Sequence, residues 1–231
     1  MFVNEIFNSL QGEGLTQGAP TIFIRFAGCN LACSWCDTKY AQGHTDSTEM
    51  NVSAIVDRVR RLTPSRRHVV CITGGEPLIQ NHIDLEDLIL SLHRDCRIQK
   101  FVIETSGSQT INWLLVWSMR PFIDLCLDYK LESSGSSRSM ILSNYTQLQP
   151  RDVIKFVCSD LNDAKEAVAF LEALSKEHAT KPTIFFHEVG GVASRWLAEF
   201  VLSIPSGILD RFDVRLGIQL HKLLWGIERA R

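Results

Sequence analysis

Short, nearly continuous apolar runs separated by amphipathic stretches constrain this chain more than any other feature. Thr21–Phe26, His68–Thr73, Lys100–Thr105, Ile123–Asp128, Val153–Cys158, Thr183–Phe186 and Val214–Leu220 read as strands. Their lack of strict alternation is the pattern of strands covered on both faces. Between them, Val52, Ile55, Val56, Val59 and Leu62 recur at offsets of three, four and seven, as do Leu85, Leu88, Ile89 and Leu92. Further helices are predicted over Ile111–Met119, from an Asp160 N-cap to Glu177, and over Ala193–Leu202. Strand and helix in regular alternation predict an α/β fold with a mainly parallel sheet and outer helices. A length of 231 residues, 45% of them hydrophobic, fits one domain spanning 1–231.

The polar motifs fall at one edge of that sheet. Arg25, Thr73-Gly-Gly-Glu-Pro77, Glu104-Thr-Ser-Gly107, Asp128-Tyr-Lys130 and Gln219-Leu-His221 all sit at the C-terminal ends of predicted strands. In parallel α/β architectures that edge is where the loops converge and active sites are assembled. The serine-rich segment Glu132–Ser139 reads as a flexible surface loop.

Cys29, Cys33 and Cys36 follow the first predicted strand with the spacing C-x3-C-x2-C. Soft thiolates this close suit a soft metal or an iron–sulfur cluster. A closed structural zinc site has four ligands, and three leave a position open for chemistry. From the residues alone, zinc, a ferredoxin-like cluster and a catalytic cluster all remain open. Cys71, Cys96, Cys126 and Cys158 lie in or beside apolar runs and are expected to be buried small hydrophobes.

Bulk properties exclude some partners. The start Met1-Phe-Val-Asn-Glu5 lacks the basic and apolar regions of a leader, and no apolar stretch reaches membrane-spanning length. A cytoplasmic protein with reduced thiols and no membrane partner is expected. A net charge of −2 gives no nucleic-acid footprint. The basic run Arg58, Arg60, Arg61, Arg66 and Arg67 reads as a solvated face.

Gly28-Cys-x3-Cys-x2-Cys36 followed by Gly74-Gly-Glu-Pro77 resembles the radical S-adenosylmethionine (SAM) superfamily. Within it, Glu5-Ile-Phe-Asn-Ser-Leu-Gln-Gly-Glu-Gly14, Gly18-x-Pro20, Phe23 through Asp37-Thr38, Ile72–Pro77, Ile103–Gly107 and Gln219–Trp225 resemble the 7-carboxy-7-deazaguanine synthases. The likeness covers nearly the whole chain in order, and its first forty residues are the most specific part. It implies an open, partial TIM-like barrel. It also implies a [4Fe-4S] cluster whose free iron chelates SAM, and a 5′-deoxyadenosyl radical that abstracts a substrate hydrogen. The implied reaction turns 6-carboxy-5,6,7,8-tetrahydropterin into 7-carboxy-7-deazaguanine with loss of ammonia, in queuosine and 7-deazapurine biosynthesis. The resemblance further implies that Mg²⁺ assists and that SAM is regenerated rather than consumed.

The resemblance implies roles residue by residue. Cys29, Cys33 and Cys36 would hold the cluster, and Thr38 would supply an oxygen to Mg²⁺, a hard cation that keeps several waters. Trp35, Cys36, Asp37, Gly75, Ser106, Asp128, Tyr129 and Lys130 would contact SAM. Leu10, Gln11, Gly12, Glu13, Arg25, Thr73 and His221 would contact the pterin. The Glu13 carboxylate suits a pyrimidinone edge with an exocyclic amine, and Arg25 suits the substrate carboxylate. A structural salt bridge is the plainer role for Arg25, capping of the cysteine loop for Thr38, and a satisfied core or dimer-edge position for His221. Many relatives carry Ser-Pro-Lys where this chain has Asp128-Tyr129-Lys130, and Phe186-His187-Glu188 matches no expected pattern and carries no assigned role.

Two other readings stand beside this one. A glycyl-radical activating enzyme shares the cysteine spacing, and a non-catalytic iron–sulfur electron-transfer module needs no SAM. The resemblance also implies an electron donor such as a flavodoxin and a homodimer, for which Leu223-Leu-Trp225 offers an apolar surface.

Overall fold

A computed structural model describes residues 1–63, 69–177, 181–226 and 228–230. It contains one sheet of nine strands, β1 (Phe2–Leu10), β2 (Pro20–Phe26), β3 (Thr48–Glu49), β4 (Val69–Gly74), β5 (Phe101–Thr105), β6 (Ile123–Tyr129), β7 (Val153–Cys158), β8 (Thr183–Glu188) and β9 (Asp213–Leu216). Their order is β3-β1-β2-β4-β5-β6-β7-β8-β9. From β2 to β9 every neighbouring pair is parallel, whereas β1 is antiparallel to both β2 and β3. The sheet stays open, with β3 and β9 as its edges. His68, Arg66 and Arg67 of the sequence reading lie outside the described residues.

Successive side chains of a strand point to opposite faces, and here the two faces do different work. The outer set includes Ile22, Ile24, Phe26, Val70, Ile72, Phe101, Ile103, Leu125, Leu127, Ile154, Phe156, Ile184 and Phe186. It forms the main core with the helices α1 (Val52–Leu62), α2 (His82–Asp95) and α5 (Leu161–Glu177). The inner set forms a smaller apolar layer of Phe23, Val69, Cys71, Val102, Cys126, Val153 and Phe185, with Phe7 packed against it. Parallel strands covered on both faces lose the alternation of a one-sided sheet, which is why each reads as a continuous apolar run.

Helix starts follow the capping chemistry of the sequence. Asn51 Oδ1 accepts from the Ala54 amide at 2.9 Å, and Asn81 Oδ1 from the Ile83 amide at 2.9 Å. Asp160 accepts from the Asn162 and Asp163 amides at 2.7 and 3.1 Å, as expected of the α5 N-cap. Short helices complete the chain: α3 (Asn112–Val116), α4 (Leu142–Tyr145), α6 (Arg195–Leu202), α7 (Ser206–Leu209) and α8 (Leu220–Trp225).

Three expectations need correction. Phe2–Leu10 is a strand that periodicity did not reveal, because Asn4, Glu5, Asn8 and Ser9 break its apolar pattern and pairing with β2 stabilises it instead. The last strand ends at Leu216, and the following residues turn into α8 rather than continuing to Leu220. The serine-rich segment is no free surface loop: Ser134 and Ser136 are buried, and Ser133 Oγ donates to Asp163 at 2.6 Å. Cys71, Cys96, Cys126 and Cys158 are buried free thiols, as their apolar surroundings predict.

Candidate active site

On the inner face of six strands, a polar residue follows two positions after an apolar one. Phe23 precedes Arg25, Cys71 Thr73, Val102 Glu104, Cys126 Asp128, Val153 Lys155 and Phe185 His187. The apolar members form a floor, and all six polar members line a cavity of about 530 Å³ above it. The remaining wall comes from the loops at the C-terminal strand ends and from the turn after β1.

The cysteine loop leaves β2 at Gly28, whose φ of +94° favours glycine. It is fastened by the Gly28 amide to the Ala41 carbonyl (2.9 Å) and by the Cys29 amide to the Gln42 carbonyl (3.1 Å). The serine-rich segment secures its far side. The Ser34 amide donates to the Ser134 carbonyl at 3.0 Å, Ser34 Oγ to the Ser133 carbonyl at 2.8 Å, and Trp35 Nε1 to Ser133 Oγ at 3.3 Å. Cys29, Cys33 and Cys36 are all free and all line the cavity. Burial pushes the Cys29 thiol up, so its thiolate needs a compensating cation.

Three free cysteines on one loop at the cavity are a donor set that a cluster can use. Among the described residues, no three His, Cys, Asp or Glu side chains gather where one ion would hold them. An iron–sulfur cube takes each thiolate on a different iron and so asks for spread sulfurs on one loop. Gly74-Gly75 passes directly beneath this loop. A Cβ on Gly75 would lie 2.2 Å from the Gly28 carbonyl oxygen, and one on Gly74 2.2 Å from that of Phe26. Glu76 is fully buried and accepts from Thr105 Oγ1 (2.7 Å), the Ser106 amide (2.7 Å), Ser106 Oγ (2.5 Å) and the Leu78 amide (3.0 Å). The glutamate of Gly-Gly-Glu-Pro is therefore a clamp joining two strand-end loops.

Around the mouth, Lys130 Nζ bonds Asp128 at 2.8 Å and lies 5.1 Å from the centre of the Trp35 ring. Asp37 beside the last cysteine pairs with Lys222 of α8 at 3.0 Å and accepts from Thr38 Oγ1 at 3.0 Å. Burial alone would raise the Asp37 carboxyl, but Lys222 and the Thr38 hydroxyl hold it below the usual carboxylate range.

The turn after β1 closes the opposite wall. Gln11 is buried and donates to Glu104 at 3.2 Å, and Thr73 Oγ1 donates to the other oxygen of Glu104 at 2.9 Å. Gly12 admits the His221 ring so closely that a Cβ would fall 2.1 Å from Nδ1. Glu13 takes a 2.9 Å hydrogen bond from Lys155 Nζ and another from the Gln219 amide. Burial opposes ionisation of Glu13, yet Lys155 and Gln219 depress its carboxyl far below the ordinary value. Arg25 reaches the cavity while its Nε pairs with Glu5 at 3.1 Å, so the structural salt bridge is present.

Every site residue expected from the sequence lines the cavity except Tyr129. Tyr129 alternates away from Asp128 onto the outer face and packs against Tyr145, Phe156 and Phe170, with 4.0 Å between its ring centre and that of Phe170. Ser106 lines the cavity, although its hydroxyl is already engaged by Glu76. Sequence reasoning assigned no role to Glu104, Lys155, His187, Gln219 and Lys222, all of which line it too, although Glu104 and Gln219 stand in its strand-end motifs. The missed signal was a charged residue inside an apolar strand, as in Val153-Ile-Lys155-Phe-Val.

An open parallel sheet, outer helices and a three-cysteine loop at the strand ends are the features of a radical SAM enzyme, and the Radical SAM superfamily pattern matches residues 23–117. The 7-carboxy-7-deazaguanine synthase of Methanospirillum hungatei JF-1 is 39% identical over 97% of this chain and 85% of its own length. The enzyme of that name from Clostridium acetobutylicum is 36% identical over 96% and 95%. The chain belongs to the 7-carboxy-7-deazaguanine synthase family. A crystal structure of QueE from Escherichia coli shares the fold, with a TM-score of 0.67 at 23% identity over 94% of this chain and 93% of that one. This kinship does not favour a glycyl-radical activating enzyme or an electron-transfer module. No helix among the described residues is long and apolar enough to cross a membrane.

Proposed function

We propose that the cavity converts 6-carboxy-5,6,7,8-tetrahydropterin into 7-carboxy-7-deazaguanine and ammonia, in 7-deazapurine biosynthesis. The observation that carries the substrate is Glu13, an ionised carboxylate deep in a cavity whose rim holds three free cysteines. Cys29, Cys33 and Cys36 would hold a [4Fe-4S] cluster, which with SAM supplies hydrogen-abstracting radical chemistry there.

The chain's own residues bind, orient and shield. Glu13 accepts from the amine and ring N–H of the pyrimidinone, while Leu10, Gln11 and Gly12 offer backbone and amide groups beside it. Thr73 reaches the same ring from β4, and its link to Glu104 fixes its hydroxyl. Arg25 keeps its Nε on Glu5 and offers the rest of its fork to the substrate carboxylate. His221 closes over Gly12 and keeps water from that side. Trp35, Cys36 and Asp37, which line the cavity beside the cysteines, would hold SAM, with Gly75 allowing close backbone approach. Ser106, Asp128 and Lys130 would bind the polar ends of SAM, the Asp128–Lys130 pair offering both signs of charge.

Thr38, whose hydroxyl donates to Asp37 at the cavity wall, would supply an oxygen ligand to Mg²⁺. A flavodoxin-like donor reduces the enzyme in the cytoplasm. Two chains associate through the exposed apolar residues Leu223 and Leu224 of α8. The test is anaerobic reconstitution, reduction and incubation with SAM and the carboxytetrahydropterin, with and without Mg²⁺. Production of deazaguanine and one equivalent of ammonia is expected. An iron-loaded, folded enzyme that makes neither overturns the reading.

A further inference from the structure

His187 is the last member of the polar row above the cavity floor, and it differs from the other five. Arg25 pairs with Glu5, Thr73 with Glu104, Glu104 also with Gln11, and Asp128 and Lys155 with charged neighbours. His187 is only 3% exposed, yet neither ring nitrogen has a hydrogen-bond partner among the described residues. Buried polar atoms are nearly always satisfied, and one left open marks a place where something else binds.

The same chain shows what a structural histidine looks like. His93 Nδ1 meets the Ile98 carbonyl at 2.7 Å and its ring packs on Phe122. His187 instead faces the cavity, with Nε2 4.0 Å from Glu13 Oε2. Its ring is held in place by Gly217, where a Cβ would fall 2.2 Å from Nε2. Phe185 lies two positions earlier on the same face, with ring centres 6.0 Å apart. The imidazole is thus fixed by shape rather than by hydrogen bonds, and neither nitrogen has a protein partner among the described residues.

We propose that His187 is a substrate-binding residue, hydrogen-bonding the polar edge of the pterin ring beside the group held by Glu13. This rests on the carboxytetrahydropterin reading given above. A carboxylate accepts only, so Glu13 can hold ring N–H and amine groups but not the neighbouring ring carbonyl. An imidazole N–H beside it supplies the missing donor. Burial lowers the proton affinity of His187, which favours the neutral ring with one donor and one acceptor over a second charge next to Lys155.

The test measures binding of 6-carboxypterin, an unreactive fluorescent counterpart of the substrate, to the reconstituted, SAM-loaded enzyme. His187→Leu is expected to raise Kd and KM roughly tenfold to a hundredfold, with the cluster spectrum and its response to SAM unchanged. His187→Gln, which keeps a donor and an acceptor, should recover part of the loss. Gly217→Ala should weaken binding by displacing the ring, and in a His187→Leu background should add little further loss. If His187→Leu does not fold, His187→Gln and Gly217→Ala carry the test. Wild-type Kd and KM in these variants refute the role of His187 while leaving the reaction intact. A wild-type enzyme that makes no deazaguanine refutes the reaction itself.

Discussion

Lys155 and Glu13, 142 residues apart, meet at 2.9 Å above the apolar floor of the cavity. They join β7 to the turn after β1 and so tie the antiparallel start of the chain to the far side of the parallel sheet. Lys155 also lies 3.4 Å from Asp128, whose other oxygen binds Lys130. The charge that Asp128 brings is therefore met by two lysines.

This pair predicts a pH-dependent stability. Glu13 is depressed on folding, so its contribution is present above the ordinary carboxyl value of 4.5 and lost as pH falls towards the folded value. Burial alone would lower the Lys155 ammonium, but Asp128 and Glu13 raise it, so its contribution is lost only as pH rises beyond the ordinary lysine value. Lys155→Met leaves Glu13 charged without its partner and should cost about 3 kcal/mol near neutral pH. In urea unfolding, the gap between variant and parent should narrow below pH 4.5 as Glu13 protonates. A gap independent of pH would contradict the ion pair.

Gly75→Ala should be among the most damaging single-methyl changes in the chain. The new carbon would meet two backbone oxygens, those of Gly28 at 2.2 Å and Ala41 at 2.7 Å, and neither is a flexible side-chain end. The expected cost is about 2–3 kcal/mol, together with reduced iron loading because Gly28 begins the cysteine loop. Thermal unfolding and iron content of the reconstituted protein test this. Full loading at unchanged stability would show that the two loops can separate freely.

Cysteine substitutions should divide by position. Cys33→Ala is expected to lose the visible absorption of the reconstituted cluster and all turnover. Cys71→Ala, in the floor, should keep both and lose about 1 kcal/mol of stability through a small cavity. Iron per chain and chemical denaturation separate the two. Loss of iron in Cys71→Ala would place a ligand where the structure has apolar packing.

Tyr129 and Asp128 make a neighbouring pair with opposite expectations. Tyr129→Phe keeps the aromatic packing of the outer face and should leave the KM for SAM within about twofold, since no contact with the cavity is lost. Tyr129→Ala should destabilise the fold by roughly 3 kcal/mol without a selective effect on SAM. Asp128→Asn, which weakens the hold on Lys130, should raise that KM. A tenfold effect of Tyr129→Phe on SAM alone would move Tyr129 back into the site.

Much of this arrangement was legible in the chain. The parallel strands announced themselves because both faces are apolar through most of their length. The strand-end motifs fell where a parallel sheet assembles its loops, so the cysteines, Gly75, Thr73 and Lys130 were found from position. β1 escaped because its stability comes from pairing with β2, which no local pattern records. Lys155 and His187 escaped for a related reason: a single polar residue in a buried strand looks like noise until neighbouring strands place five more beside it. Tyr129 was carried over from the resemblance together with Asp128 and Lys130, although a strand sends adjacent side chains to opposite sides.

The two-step spacing between floor and polar row has a consequence for how such a catalyst changes over time. Each of the six strands offers one polar position on the cavity side, and the residue just before it belongs to the core on the outer face. A substitution at one of these positions can alter what is recognised while the hydrophobic packing against the helices continues undisturbed. Recognition is thus written on a short, separable register of the barrel, so lineages can drift in ligand preference without first surviving a loss of foldedness.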